Sequence, residues 1–285
     1  MSNLPEPTLT PDQYCQEKAA KSGSSFYYSF LFLPPEKRLA ITALYAFCRE
    51  IDDIVDECHD PGVARMKLAW WRNEIGAVFS GNPEHPLGKA LKPVIERHNL
   101  PPELFSEIMD GMEMDLDENR YPDFKSLQLY CYRVASVVGL LSAEIFGFEN
   151  RKTLDYAHEL GIALQLTNIL RDVGEDARRN RIYLPLDELK EYGVTVSDIL
   201  NAKSSENFEK FMAFQIHRAR RHYDNALQAL PVEDRQNQKP GLIMAAIYSA
   251  LLDEIEKDPG CVLKGRTSLT PLRKVWIAWK TWGKR

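Results

Sequence analysis

Several classes of protein are excluded by what the sequence lacks. Its 285 residues hold only five cysteines, at positions 15, 48, 58, 131 and 261, with no CxxC pair and no histidine spacing that suits zinc. They are expected as unpaired thiols in a reducing cytosol. The amino-terminal stretch has no basic segment followed by an apolar one, so no secretory leader is expected. No window approaches ~20 consecutive apolar residues, so no membrane-spanning helix is expected either. There is no excess of basic residues: the net charge of -5 argues against a nucleic-acid binder, which needs a cationic surface to neutralise phosphates. Glu-x-x-His pairs, the mark of a di-iron bundle, do not occur, and neither does the Gly-x-Gly-x-x-Gly dinucleotide fingerprint. Alternating strand-like runs joined by Asn-Gly or Gly-Gly turns are missing too.

Helical periodicity fills most of the chain, and the fold class read from it is all-α. Thr10-Pro11 reads as a cap followed by a first-turn proline, opening a helix to about Lys21. Pro34-Pro35-Glu36 opens a second, which ends near His59-Asp60-Pro61-Gly62. Further helices are expected over Val63 to Ser80, Leu87 to His98, Pro101 to Asn119, Phe124 to Phe146, Lys152 to Arg178, Asn207 to Leu230 and Pro240 to Asp258. Arg179 to Asn201 reads as a longer structured excursion. Connections are short and no flexible linker divides the chain, so residues 1–285 are read as one helical domain. A basic, Trp-rich tail follows at about residues 264–285.

Chemistry enters with two acidic stripes. Tyr45, Arg49, Asp52 and Asp56 recur at i, i+4, i+7 and i+11, which places them on one helical face that should be apolar if it met a core. Gln165, Asn168, Asp172 and Asp176 repeat the pattern, while Ile162, Leu166, Ile169, Leu170 and Val173 supply the packing positions of the same helix. Carboxylates arranged this way are hard oxygen ligands, and Mg²⁺ is usually held by a few of them together with substrate phosphates. The implied substrate is a diphosphate. Arg49 and Arg171 lie beside the acids, and Arg178, Arg179 and Arg181 follow the second stripe, where they could neutralise a departing anion. His158, His217 and His222 fall outside both stripes and read as packing or surface residues.

Three stretches, in this order, resemble the signatures of the head-to-head isoprenyl diphosphate synthases, the squalene/phytoene synthase family. They are Tyr45-Ala-Phe-Cys-Arg49-Glu-Ile-Asp52-Asp-Ile-Val-Asp56, Tyr130-Cys-Tyr-Arg-Val134-Ala-Ser-Val-Val138-Gly and Gln165-Leu-Thr-Asn168-Ile-Leu-Arg171-Asp172-Val-Gly-Glu-Asp176. Arg181-Ile-Tyr183-Leu-Pro185 extends the last, and the likeness runs from about Tyr14 to about Arg266. The resemblance implies an isoprenoid synthase fold around a central cavity, with Asp52, Asp56, Asn168, Asp172 and Asp176 as Mg²⁺ ligands. It implies Tyr45, Arg49 and Tyr130 at the reacting centre, with Asp53 and Glu175 in support. Ser25, Phe26, Val134, Val138, Gln165, Arg171, Arg181, Tyr248 and Arg266 would bind substrate, Arg266 only if a one-residue gap is allowed. Val137, Leu141 and Leu164 are further candidates for an apolar tunnel. Tyr130 is a candidate acceptor for the proton lost in the reaction, although a phenol near pKa 10 is a poor base unless perturbed.

Within the family, Ser22-Gly-Ser-Ser-Phe-Tyr-Tyr-Ser-Phe-Leu-Phe-Leu-Pro-Pro, Leu68-Ala-Trp-Trp-Arg and Asp110-Gly-Met-Glu-Met-Asp-Leu resemble the bacterial hopanoid-pathway members that stop at presqualene diphosphate. The chain also ends soon after the synthase region, unlike members with a membrane anchor. The expected activity is a Mg²⁺-dependent prenyltransferase that condenses two farnesyl diphosphates to presqualene diphosphate, without NADPH, and passes it to a downstream squalene-forming enzyme. The alternatives are a complete squalene or dehydrosqualene synthase, a phytoene synthase using geranylgeranyl diphosphate, and a noncatalytic assembly factor; the last would be expected to lose the aspartates kept here. Lys264 to Arg285 holds seven Lys/Arg and no acid, with Trp276, Trp279 and Trp282 on one arc of a helix. A cytoplasmic protein resting on the inner membrane face is expected from that composition.

Overall fold

Local capping chemistry decides where the helices begin. In the computed structural model, which describes residues 9–21, 29–30, 32–58 and 60–283, Thr10 Oγ1 accepts from the Gln13 amide (3.3 Å) while Gln13 Oε1 accepts from the Thr10 amide (2.9 Å). This reciprocal cap starts α1, Pro11–Lys21. Helix α2, Pro35–Glu57, starts on its prolines and buries Ala40, Ile41, Leu44, Phe47, Ile51, Ile54 and Val55. Asp60 then accepts from the amides of Gly62 (2.7 Å) and Val63 (3.2 Å), so α3, Pro61–Ser80, begins two residues before the expected Val63. Helix α4 is Pro86–His98 and α5 is Pro102–Asp117. The loop holding Ser25 and Phe26 lies outside the described residues.

The chain divides into two compact units, residues 1–113 and 114–285, with the boundary inside α5 rather than in a linker. In the first unit α1 packs on α2 and α4, and α4 packs on α2 and α3. Phe47 of α2 meets Trp71 and Phe105 edge-on, with ring centroids 6.3 and 5.4 Å away. The buried Glu74 carboxylate accepts from the amides of Glu84 (3.0 Å) and His85 (2.9 Å), which closes the loop between α3 and α4.

The second unit is built around one long helix. Its elements are α6 (Phe124–Cys131), a π-helical segment (Tyr132–Ser136), α7 (Val137–Phe146) and α8 (Lys152–Arg178). They are followed by α9 (Leu186–Glu191), α10 (Val196–Leu200), α11 (Glu206–Ala229), α12 (Lys239–Lys257), α13 (Cys261–Lys264) and α14 (Pro271–Trp282). The short α9 and α10 occupy the expected excursion. Helix α8 contacts α6, the π segment, α7, α10, α11, α12 and α13. It approaches the π segment so closely that a Cβ on Gly161 would stand 2.5 Å from Ser136 Cα.

Buried polar groups tie the outer helices to this centre. The Asp234 carboxylate, ahead of α12, accepts from Thr153 Oγ1 (2.6 Å) and from the amides of Glu149 (2.7 Å) and Asn150 (3.1 Å) at the start of α8. Arg218 of α11 donates to both oxygens of Glu188 on α9 (2.8 and 2.5 Å) and lies 3.8 Å from the centre of the Phe124 ring.

Two sequence expectations are revised here. The continuous helical run Phe124–Phe146 is long and apolar enough to cross a membrane, contrary to the reading that no segment is. Its packing against α8 accounts for part of that apolarity, 44% of the most apolar window being buried. Trp282 does not share the outward arc of Trp276 and Trp279. It is half-buried against α12, with Lys239 Nζ donating to its carbonyl (2.7 Å) and lying 5.1 Å from its ring centre. None of the five cysteines forms a disulfide. Among the described residues the only β-pairing is an isolated bridge between Arg120 and Ile182.

Candidate active site

The first stripe lies on α2, whose other face is fixed in the core, so Tyr45, Arg49 and Asp52 are left half-buried and Asp56 exposed. Arg49 Nη1 donates to Asp52 Oδ2 (2.6 Å) and Nη2 to Asp53 Oδ1. Burial would lower the Arg49 pKa, but the carboxylates of Asp52, Asp53 and Asp56 outweigh it and hold the guanidinium above its ordinary range. Asp53 and Glu50 also bind Lys18 Nζ, each at 2.8 Å, so Asp53 is paired with two cations, Lys18 and Arg49.

The second stripe lies on α8. Arg171 chelates Asp172, with Nε donating to Oδ1 (2.7 Å) and Nη2 to Oδ2. Arg266, just past α13, reaches the same Oδ1 through Nε at 3.1 Å. Tyr248 of α12 is buried beside Arg171, and burial, which would lower the pKa of that guanidinium, is outweighed by Asp172 and Tyr248. Lys274 on α14 belongs to this group as well. Desolvation, then the charges of Arg171 and Arg266, hold its pKa below the usual lysine range. Sequence reading did not find Lys274, because only the chain reversal after α13 brings it near α8.

One turn to the N-terminal side, Asn168 Nδ2 donates to Gln165 Oε1 (3.3 Å), while Asn168 Oδ1 is buried with no hydrogen-bond partner. One turn the other way, the Asp176 pKa is pushed up to about 7 by burial and by the charge of Asp172, with Arg181 pulling it down and Asp115 adding to the rise. An orphaned hard oxygen and a carboxylate crowded by carboxylates are both groups that a cation would satisfy. Among the described residues no three His, Cys, Asp or Glu side chains already converge as a metal site. The set therefore fits Mg²⁺ held jointly with substrate oxygens better than a closed protein cage.

Asp115 is a second residue that the sequence reading missed. Tyr130 donates to its Oδ2 (3.0 Å) and Tyr183 to its Oδ1 (2.7 Å), and those two rings stack with centroids 5.1 Å apart, with Tyr121 stacked on Tyr183 at 5.8 Å. Burial and then the Asp115 charge push the Tyr130 hydroxyl well above its ordinary value. Its perturbation runs opposite to what a base requires: Tyr130 is held as a donor, and the geometry gives no support to it as a proton acceptor. The signal available in sequence was the Asp110-to-Leu116 stretch, which gave no role for its last acid.

The tunnel candidates divide. Val134, Val138 and Leu164 are half-buried and keep free surface, whereas Val137 and Leu141 are fully buried core residues. Of the arginines after the stripe, Arg178 and Arg179 are exposed and Arg181 is half-buried. His222 Nδ1 lies 2.7 Å from Glu159 Oε2, a packing role away from the acids.

Residues 19–273 match the squalene/phytoene synthase family. The chain is 37% identical over 284 residues to the phytoene synthase of Arthrospira platensis, covering 94% of this chain and 92% of that one. It is 38% identical over 248 residues to phytoene synthase 1 of Arabidopsis thaliana, covering 85% of this chain and 59% of that longer one. Among solved structures, a dehydrosqualene synthase in complex with ligand superposes with a TM-score of 0.85 at 27% identity, covering 95% of each chain. The squalene synthase HpnC of Alicyclobacillus acidocaldarius gives 0.79 at 26%, covering 87% of this chain and 94% of that one.

Proposed function

Because the chain belongs to the squalene/phytoene synthase family of divalent-metal-dependent, head-to-head prenyltransferases with the isoprenoid synthase fold, we propose that it condenses two farnesyl diphosphates to presqualene diphosphate. C1 of one molecule joins the C2–C3 double bond of the other, a cyclopropane closes, and one diphosphate and one proton leave. The observation that carries the reading is the α8 stripe. Asn168 offers an unsatisfied buried oxygen, Asp172 is gripped by Arg171 and Arg266, and Asp176 is a carboxylate in want of a cation.

Asp52, Asp56, Asn168, Asp172 and Asp176 would hold Mg²⁺, which supplies charge neutralisation for the diphosphate as its carbon–oxygen bond breaks. Arg171, Arg266 and Lys274 present fixed positive charge to the same anion, and Arg49 and Arg181 would add to it by the likeness to the family. Tyr45 and the stacked Tyr130 and Tyr183 offer aromatic faces of the kind that stabilise an allylic cation. Val134, Val138 and Leu164 would line the path of the prenyl chain, with Gln165 and Tyr248 beside the diphosphate and Ser25 and Phe26 completing the first-substrate side. With Tyr130 committed as a donor to Asp115, the departing diphosphate is the better acceptor for the lost proton.

Support for the presqualene product comes from the sequence likeness of residues 22–35, 68–72 and 110–116 to the hopanoid-pathway members. A second reading, condensation of two geranylgeranyl diphosphates to phytoene, is favoured by the names of the relatives at 37–38% identity. Product analysis separates them. The purified protein is incubated with each diphosphate, with Mg²⁺ or EDTA and with or without NADPH, and neutral and phosphorylated lipids are extracted. Presqualene diphosphate accumulating from farnesyl diphosphate regardless of NADPH is the expected outcome. Squalene formed only with NADPH, or phytoene from the C20 substrate alone, replaces it with the corresponding reading, and no turnover of either overturns an enzymatic role.

A further inference from the structure

Helix α14 turns one apolar face inward and a second one outward. Ile277 and Ala278 are buried, and the helix packs on α12, where Lys239 holds its last turn. With that packing complete, Leu272 (83% exposed), Val275 (43%), Trp276 (55%) and Trp279 (66%) remain at the surface. They recur at steps of three and four residues and so form one continuous outward stripe. Single exposed apolar side chains are ordinary, but a row of four with two tryptophans is not.

The charges around the stripe select its occupant. In a chain of net charge -5, the stretch from Lys264 to Arg285 has seven Lys/Arg and no acid; Arg266 pairs with Asp172, Lys274 lies near Arg171, and Arg273 pairs with Glu254 (2.8 Å), which leaves Lys264, Lys280, Lys284 and Arg285 as the remaining cations of the stretch. Lys280 Nζ stands 4.8 Å from the centre of the Trp276 ring, which places a cation at the edge of the apolar row. Indole rings flanked by lysine and arginine suit the boundary between lipid headgroups and acyl chains, where ring and cation find partners at the same depth. A second copy of the chain would bring two strips of like charge together, which disfavours a symmetric dimer through this face. At ~18 Å a twelve-residue helix is too short to cross a ~30 Å hydrocarbon core, so it would lie in the plane of the surface.

We propose that the Leu272–Trp279 face of α14 seats the protein on the surface of an anionic lipid bilayer. This seating does not depend on which product the enzyme makes. The test is flotation of the full chain with vesicles of phosphatidylcholine alone and of phosphatidylcholine with phosphatidylglycerol. The wild type is expected to float with the anionic vesicles and to lose binding as salt rises. Trp276→Ser with Trp279→Ser is expected to lose most of the bound fraction with an unchanged circular-dichroism spectrum and melting temperature. Lys280→Gln is expected to weaken binding to anionic vesicles about fivefold. Should the double variant melt early, Leu272→Ser on the most exposed position decides the matter, together with quenching of wild-type tryptophan fluorescence by brominated lipid. A wild type that stays unbound, a double variant that floats normally, or a concentration-dependent dimer abolished by the same substitutions overturns the proposal.

Discussion

Asn168 holds a buried amide oxygen that no group among the described residues satisfies, and such an oxygen costs about 1–3 kcal/mol. If a cation is its intended partner, removing it should cost the substrate-free fold nothing. Asn168→Leu is expected to match or exceed the wild type in Mg²⁺-free urea denaturation while losing turnover about 100-fold or more. A variant that loses stability instead would reduce Asn168 to a structural residue. Tyr130 invites the opposite experiment. Tyr130→Phe keeps the ring stack and leaves Asp115 its bond from Tyr183, so it should cost about 1 kcal/mol of stability and retain most of its turnover. Collapse of activity with an intact fold would restore the hydroxyl to the chemistry.

At the scale of elements, helix ends and the two acidic stripes are legible in sequence because their causes are local. Thr10 with Pro11, Asp60 with Pro61, and the i, i+4 spacing of carboxylates all act within a turn or two. What depends on distant contacts is not legible. Asp115 is met by partners 15 and 68 residues away, and Lys274 reaches α8 only through the turn after α13. Helices α9 and α10 are shorter than the window in which periodicity can be read. Gly174 shows how tightly α13 is seated: a Cβ there would lie 2.5 Å from the carbonyls of Val262 and Leu263. Gly174→Ala should therefore cost about 1–3 kcal/mol and loosen the Arg266–Asp172 pair, lowering turnover beyond the loss in stability. Asp234 carries a pH dependence. Burial would raise its pKa, but the bonds from Thr153, Glu149 and Asn150 prevail and hold it below the ordinary carboxylate value. The stabilisation is then present above the unfolded pKa of about 4 and disappears as pH falls through the folded value. Asp234→Asn is expected to cost about 2 kcal/mol at pH 7 in urea denaturation, with the gap to the wild type closing in acid.

At the scale of the whole molecule, carboxylates that do not converge among the described residues should need an anion to gather metal. Mg²⁺ or inorganic diphosphate alone should shift the melting temperature little, and the two together by several degrees, through binding linked to folding. A full shift with Mg²⁺ alone would mean a metal site complete without substrate. The π-helical turn at Tyr132–Ser136 bears on the chain as an inherited object. Such a turn holds one residue more than an α-helix would use over the same rise. Deleting one residue from that turn would let it close into an α-helix with Val138 and Leu141 still on their present faces, whereas deleting one from α7 itself would rotate everything after it by about 100°. Most positions in α7 can trade one apolar side chain for another of similar volume, but a change in residue number is absorbed at the π turn and not within α7. In descent from a common ancestor, a one-residue gap in this part of the chain should therefore fall at the π turn and hardly ever in α7.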